Sequence, residues 1–270
     1  DAPELFVYRL VRNGRPQVGV VGVCSVDEYD DGRIAVHERT RADKEDDRTR
    51  HVTTMRCQAE PIFLAYRAAP SIDALVRGVL AEPPLLEFVA EDGVSHALFA
   101  VAEPRAFVLA FAAVPRLYVA DGHHRAKSAS RARESLGGTD EPLAPCNFVL
   151  SVVFPDDQLE ILPYHRVVTD LGGRTPAELL AAIGQRFPLR PEAPPLPGRP
   201  HDVSIYAAGA WYGVTLPPVS DDVLGRLDVS RLQELVLAPI LGIEDPRRDT
   251  RIDFVGGIRG PEELVRRVDR

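Results

Sequence analysis

The dipeptide Asn13-Gly14 lies between two segments rich in β-branched residues, Phe6–Leu10 and Val18–Val26. Both residues tolerate the positive φ angles of a tight hairpin, so the chain opens as an antiparallel pair of strands. Short elements of both kinds then follow in irregular alternation. Ile34–Val36, Ile62–Tyr66, Leu117–Ala120 and Phe148–Phe154 read as strands, and Tyr29–Gly32 as an acidic turn. Leu85–Val89 and His96–Val101 flank Glu91-Asp92-Gly93 as a second hairpin. Asp43–Gln58 is dense in charge without Gly or Pro and reads as a helix, as do Ile72–Leu80 and Arg125–Leu136. Ala106–Val114 is ambiguous between the two. Gln158–Val168 is expected as a strand returning from the Pro155-Asp156-Asp157 turn. The order predicts an α+β chain, a mixed sheet with flanking helices.

After Asp170 the texture changes, so a core over residues 1–170 and a smaller α/β region over 171–270 are expected. Thr175 and Pro176 are an N-cap and a first helical residue, opening a helix to about Arg186. Pro188–Pro200 holds six prolines in thirteen residues and reads as a linker. Val203–Tyr206 with Trp211–Leu216 suggests a hairpin, and Ser230–Leu237 and Glu262–Val268 suggest helices.

Composition removes several classes of function. A chain of 270 residues with 45% hydrophobic content has ample material for a core. Its longest apolar run, Ala106–Val114, is about half of the ~20 residues a membrane-spanning helix needs. A net charge of −8 argues against nucleic acid as a partner. Three widely spaced cysteines, Cys24, Cys57 and Cys146, fit reduced thiols in a cytoplasm better than a disulfide framework. The chain begins at Asp1 without Met and stops at Arg270 just after a helix-like pattern, as an excised or processed fragment would.

The sharpest chemical signal is Tyr118-Val119-Ala120-Asp121-Gly122-His123-His124-Arg125-Ala126-Lys127-Ser128-Ala129. A short strand runs into Asp-Gly, and a helix then opens on polar, potentially cationic residues. Gly122 allows a tight turn with close backbone approach, and the amides of a helix start favour an anion. Arg125 offers a planar fork for phosphate, and one histidine a further donor. Asp121 is placed to hold a metal ion or to orient a histidine. The plain alternative is that Asp121 merely caps a solvated helix. Adjacent His123 and His124 diverge by about 100° on a helix and do not share one metal easily. Zinc would need His37, His51 or His165 from elsewhere.

The second signal is His37-Glu38-Arg39-Thr40, delivered to the end of Ile34–Val36, with the charged helix that follows. There Lys44, Arg48 and His51 fall at i, i+4 and i+7, one cationic stripe, with Asp43 and Asp47 as a parallel acidic row. Like charges four residues apart repel, and an anion facing the stripe relieves that repulsion. Of 32 basic residues only Lys44 and Lys127 are lysines, and both lie in these two segments. Tyr164-His165-Arg166 is a weaker candidate at a strand end.

Residues His37–Thr40 through Arg67, Tyr118–Ala129 and Ile161–Leu171 resemble the domain-of-unknown-function family 1015, with Ala-Asp-Gly-His-His-Arg the most specific motif. Members usually carry further segments on both sides, so the resemblance implies a central part. The Gly122–Arg125 turn is also similar to the phosphate-binding turn of the ParB/sulfiredoxin superfamily, which includes free-serine kinases. That likeness implies a ParB/sulfiredoxin-like core, with Glu38 as base for an acceptor hydroxyl, Asp121 beside the metal, and His124 and Arg125 on phosphates. It implies magnesium and ATP or ADP as cofactors, and a small hydroxylated metabolite such as free serine as acceptor. The alternatives are a ParB-like nucleotide-binding regulatory module, and a metal-dependent hydrolase or phosphatase using His123, His124, Asp121 and His165.

Overall fold

The computed structural model describes residues 5–38, 40, 42–137 and 141–270, with Asp43 described by its backbone alone. Arg39, one of the motif residues, lies outside the described residues. The chain divides into two compact units, the first ending at Glu160.

In the first unit, β1 (Phe6–Arg12) and β2 (Arg15–Ser25) form the opening hairpin. Asn13 and Gly14 take φ values of 51° and 75°, the positive angles a two-residue turn requires. The expected turn Tyr29–Gly32 is in part helical: Tyr29 and Asp30 close a short helix, α1 (Val26–Asp30), capped by the Ser25 hydroxyl accepting from Asp27 N at 3.1 Å. There follow β3 (Ile34–Ala35), α2 (Ala42–Met55), β4 (Ile62–Tyr66), α3 (Pro70–Leu80), β5 (Leu86–Val89) and β6 (Ser95–Ala100). Ala106–Val114 resolves as helix α4 (Pro104–Ala112), with Pro104 in its first turn. The unit closes with β7 (Leu117–Asp121), α5 (His123–Ser135) and β8 (Phe148–Pro155).

Its eight strands form one mixed sheet in the order β3-β7-β4-β8-β2-β1-β6-β5. The β3/β7 and β4/β8 pairs are parallel and the rest antiparallel. Ile34, Ile62, Leu64, Tyr66, Val119 and Val149 bury themselves with Ala126 and Ala129 of α5. A second cluster joins Val7, Val20, Phe99 and Phe107, with α3 supplying Leu75 and Val79. Of β7 only Val119 is buried, so this strand is one-sided rather than buried throughout.

The second unit contains β9 (Tyr164–Val168), α6 (Pro176–Gly184), β10 (Leu189–Pro191), β11 (Asp202–Ala207) and β12 (Ala210–Thr215). After these come α7 (Asp228–Leu232), a π-helical turn (Gln233–Leu237), α8 (Ala238–Leu241), β13 (Ile252–Gly256) and α9 (Glu262–Val268). Thr175 and Glu178 complete a reciprocal capping box at the start of α6.

Three expectations are corrected here. Gln158–Val168 is not one strand: only Tyr164–Val168 is extended, and it pairs with β13. That pairing draws β9 into the second unit and moves the division from residue 170 to Glu160. The proline-rich stretch 188–200 is not wholly a linker within the second unit, because Leu189–Pro191 pairs with β12. Proline survives there because β10 is an edge strand.

Candidate functional site

The site is built where β7 hands over to α5. Asp121 is the last residue of the strand, Gly122 turns with φ of 92°, and the helix begins at His123. Gly122 itself occupies the N-cap position and no side chain caps the helix, so Asp121 is not spent on capping. A Cβ on Gly122 would lie 3.0 Å from Arg125 Nε, against the guanidinium that folds back over the turn. Ala126 N bonds to Gly122 O at 2.9 Å as the helix begins.

Helix α2 forms the opposite wall. Arg131 of α5 pairs with Glu45 at 3.1 Å and Asp46 at 2.6 Å, clasping the two helices together. Ser128, fully buried, bonds to His124 O at 2.7 Å and Glu45 O at 3.3 Å. The small residues Ala126, Ser128 and Ala129 let α5 sit close to its neighbours. Lys44 and Arg48 thereby face Gly122 and Arg125 across a gap.

That gap is a cleft of about 510 Å³ lined by Glu38, Lys44, Asp47, Arg48, Asp121, Gly122, His123, His124 and Arg125. Two segments about eighty residues apart in sequence are joined in one polar site. Its cations (Lys44, Arg48, Arg125) face an equal number of carboxylates (Glu38, Asp47, Asp121). This mixture suits a polyanion that arrives with a divalent cation better than a bare anion.

Arg125 is firmly held. Nη2 donates to Asp121 Oδ2 at 2.5 Å, and Nη1 to Pro61 O at 2.6 Å and Glu60 Oε2 at 3.3 Å. His123 is 5% exposed, with Nδ1 3.8 Å from Glu38 Oε2 and its ring edge-on to His37. Burial, and secondarily the neighbouring His37, hold its pKa below the ordinary histidine value. It therefore offers the cleft a neutral ring and not the positive charge its sequence position suggests.

Other sequence candidates stand outside the cleft lining. The cationic stripe of α2 splits: His51 lines a neighbouring pocket and lies 3.9 Å from Asp47. The Thr40 hydroxyl donates to Glu45 at the start of α2, a structural contact. Lys127 follows Arg125 around α5 and does not line the cleft. His37 touches the site through His123. His165 lies on β9 of the second unit, where burial depresses its pKa. Asp47, in the acidic row parallel to that stripe, is also a lining residue, three positions after Lys44 on the same helix.

The neighbouring pocket, about 230 Å³, includes Val52, Met55, Ala59, Ala129 and Val149 and shares Arg48 and Arg125 with the cleft. Among the described residues no group of three or more His, Cys, Asp or Glu side chains is placed to hold a metal ion by itself. Among the same residues, no helix is long and apolar enough to cross a membrane.

The model of a family described as "Protein of unknown function (DUF1015)" matches residues 1–230. No curated protein and no solved structure matches the chain.

Proposed function

The chain belongs to the DUF1015 family, and from its cleft we propose that it is a nucleotide-dependent phosphotransferase acting on a small hydroxylated metabolite such as free serine. The observation that carries this reading is the convergence of Glu38, Lys44, Arg48 and Asp121 through Arg125 on one polar cleft. Phosphoryl transfer asks for positioning, cations on the phosphate oxygens and one carboxylate for the hydroxyl proton. Each has a candidate here.

Arg125, Arg48, Lys44, His124 and the first amides of α5 receive the phosphates of ATP or ADP. Glu38 takes the proton of the acceptor hydroxyl as its oxygen attacks the terminal phosphorus, and the shortened nucleotide leaves. His123, buried, keeps its Nδ1 3.8 Å from that carboxylate. The exposed carboxylate of Asp121 suits magnesium, a hard cation bound through one or two carboxylates plus phosphate and water oxygens. Magnesium would offset negative charge on the phosphates. Because Asp121 now pairs with Arg125, ligand entry must exchange that ion pair for two new ones. The ParB/sulfiredoxin-like turn supports the same reading through resemblance.

The test is to incubate the protein with magnesium, ATP or ADP and free serine, and to follow phosphorylated product by phosphorus NMR. Product formed by wild type and lost in Glu38→Gln and Asp121→Asn supports the roles. Normal turnover in both variants sinks them. A thermal-shift titration separates binding from chemistry. Nucleotide at 100 times its Kd adds about 2.7 kcal/mol, and that gain should vanish in Arg125→Ala.

A further inference from the structure

Glu60 precedes Pro61 in the short connection between α2 and β4. In the fold it stands at the junction of the two cavities. It lines the apolar pocket, and its Oε2 is 3.3 Å from Arg125 Nη1 and 3.8 Å from Arg48 Nη1. These two arginines, from α5 and α2, line both cavities. One carboxylate oxygen therefore sits between the guanidiniums that an incoming anion would need.

We propose that Glu60 is a selectivity residue: a resident carboxylate that competes for Arg48 and Arg125 and gives the cleft a preference for ligands with more than one phosphate group. The inference rests on the anion-binding part of the reading above and not on phosphoryl transfer itself. Each ion pair is individually weak, so the two that hold Glu60 together set a modest barrier of about three- to tenfold in affinity. A single phosphate replaces one set of contacts with another and gains little. A linked pair of phosphates reaches both arginines, Lys44 and the α5 amides together, and outcompetes one carboxylate. Glu60 is 59% exposed, so once displaced it rejoins water without a burial penalty.

The experiment is calorimetric titration of inorganic phosphate and pyrophosphate, with magnesium, into wild type, Glu60→Gln and the double variant Arg48→Gln/Glu60→Gln. Wild type should prefer pyrophosphate. Glu60→Gln should tighten phosphate by about three- to tenfold and narrow the preference. The double variant should lose that gain. An unchanged or weaker phosphate affinity in a folded Glu60→Gln protein overturns the proposal, and so does a gain that survives removal of Arg48. Binding of neither anion by any variant overturns it together with the anion cleft. The expected pattern, found in a protein that makes no phosphorylated product, retires only the phosphotransferase.

Discussion

The imidazole of His37 stands edge-on to that of His123, with ring centroids 4.4 Å apart and planes at 90°. The His123 Nε2 is buried with no hydrogen-bond partner among the described residues. Burial, then His37, favours the neutral ring, while Glu38 pulls the other way. Proton NMR should show His123 titrating below 6.5, moving up in His37→Ala and further down in Glu38→Gln. Since the folded-state pKa is depressed, the stability this ring contributes is present above about 6.5 and fades as pH falls through its folded value. A midpoint at or above 6.5 would contradict the burial seen here.

Gly122→Ala meets two obstacles at once. Its φ of 92° disfavours a side chain, and its Cβ would press on Arg125 at 3.0 Å. Urea unfolding should show a loss of about 1–2 kcal/mol. Pyrophosphate affinity should fall as well, because Arg125 must move. Wild-type stability and affinity together would mean that the turn is not constrained.

Ser128 is completely buried between α5 and α2. Ser128→Leu should cost about 1–3 kcal/mol by overpacking and widen the cleft. Ser128→Ala should cost about 1 kcal/mol, from its lost hydrogen bonds. Equal effects would show that helix separation does not matter.

Glu263 in the second unit accepts from Arg266 and Arg267, which hold its pKa at about 2. A depressed carboxylate pKa gives stability that is present above the unfolded value of about 4.3 and is lost as pH falls towards 2. Acid titration followed by circular dichroism should show wild type losing more stability than Glu263→Gln across that interval. Parallel acid curves would remove this pair from the account.

Cys24 is pushed up to about 11 by burial, so its thiol stays protonated at pH 8. Cys57 is exposed at the apolar pocket. Iodoacetamide on the native protein should label Cys57 well before Cys24, as read by peptide mass spectrometry. Equal rates would mean that Cys24 is more accessible than the fold shows.

Much of the architecture could be read locally. The Asn13-Gly14 hairpin, the Thr175 cap and the strand ending at Asp121 depend on φ preferences, short-range hydrogen bonds and side-chain periodicity, all written within a few residues. The same holds for the polar turn at Gly122. Sequence also singled out Glu38, Lys44, Arg48 and the Asp121–Arg125 run, because charged residues at a strand end or on one helix face leave a periodic trace.

What sequence could not decide depends on partners far along the chain. Whether Tyr164–Val168 continues the first sheet or pairs with Ile252–Gly256 is a choice between distant strands. His123 reads as potentially cationic beside His124 and Arg125, yet burial, with His37 packed against it, favours the neutral ring. Asp47 joins the cleft because Ser128 and the Arg131 clasp bring α2 onto α5, and Glu60 reaches Arg125 because β4 pairs beside β7. Local preference therefore determined the turn, the helix start and the charges available at them. The tertiary packing alone decided which charges face one another, because burial and ion pairing depend on distances through space.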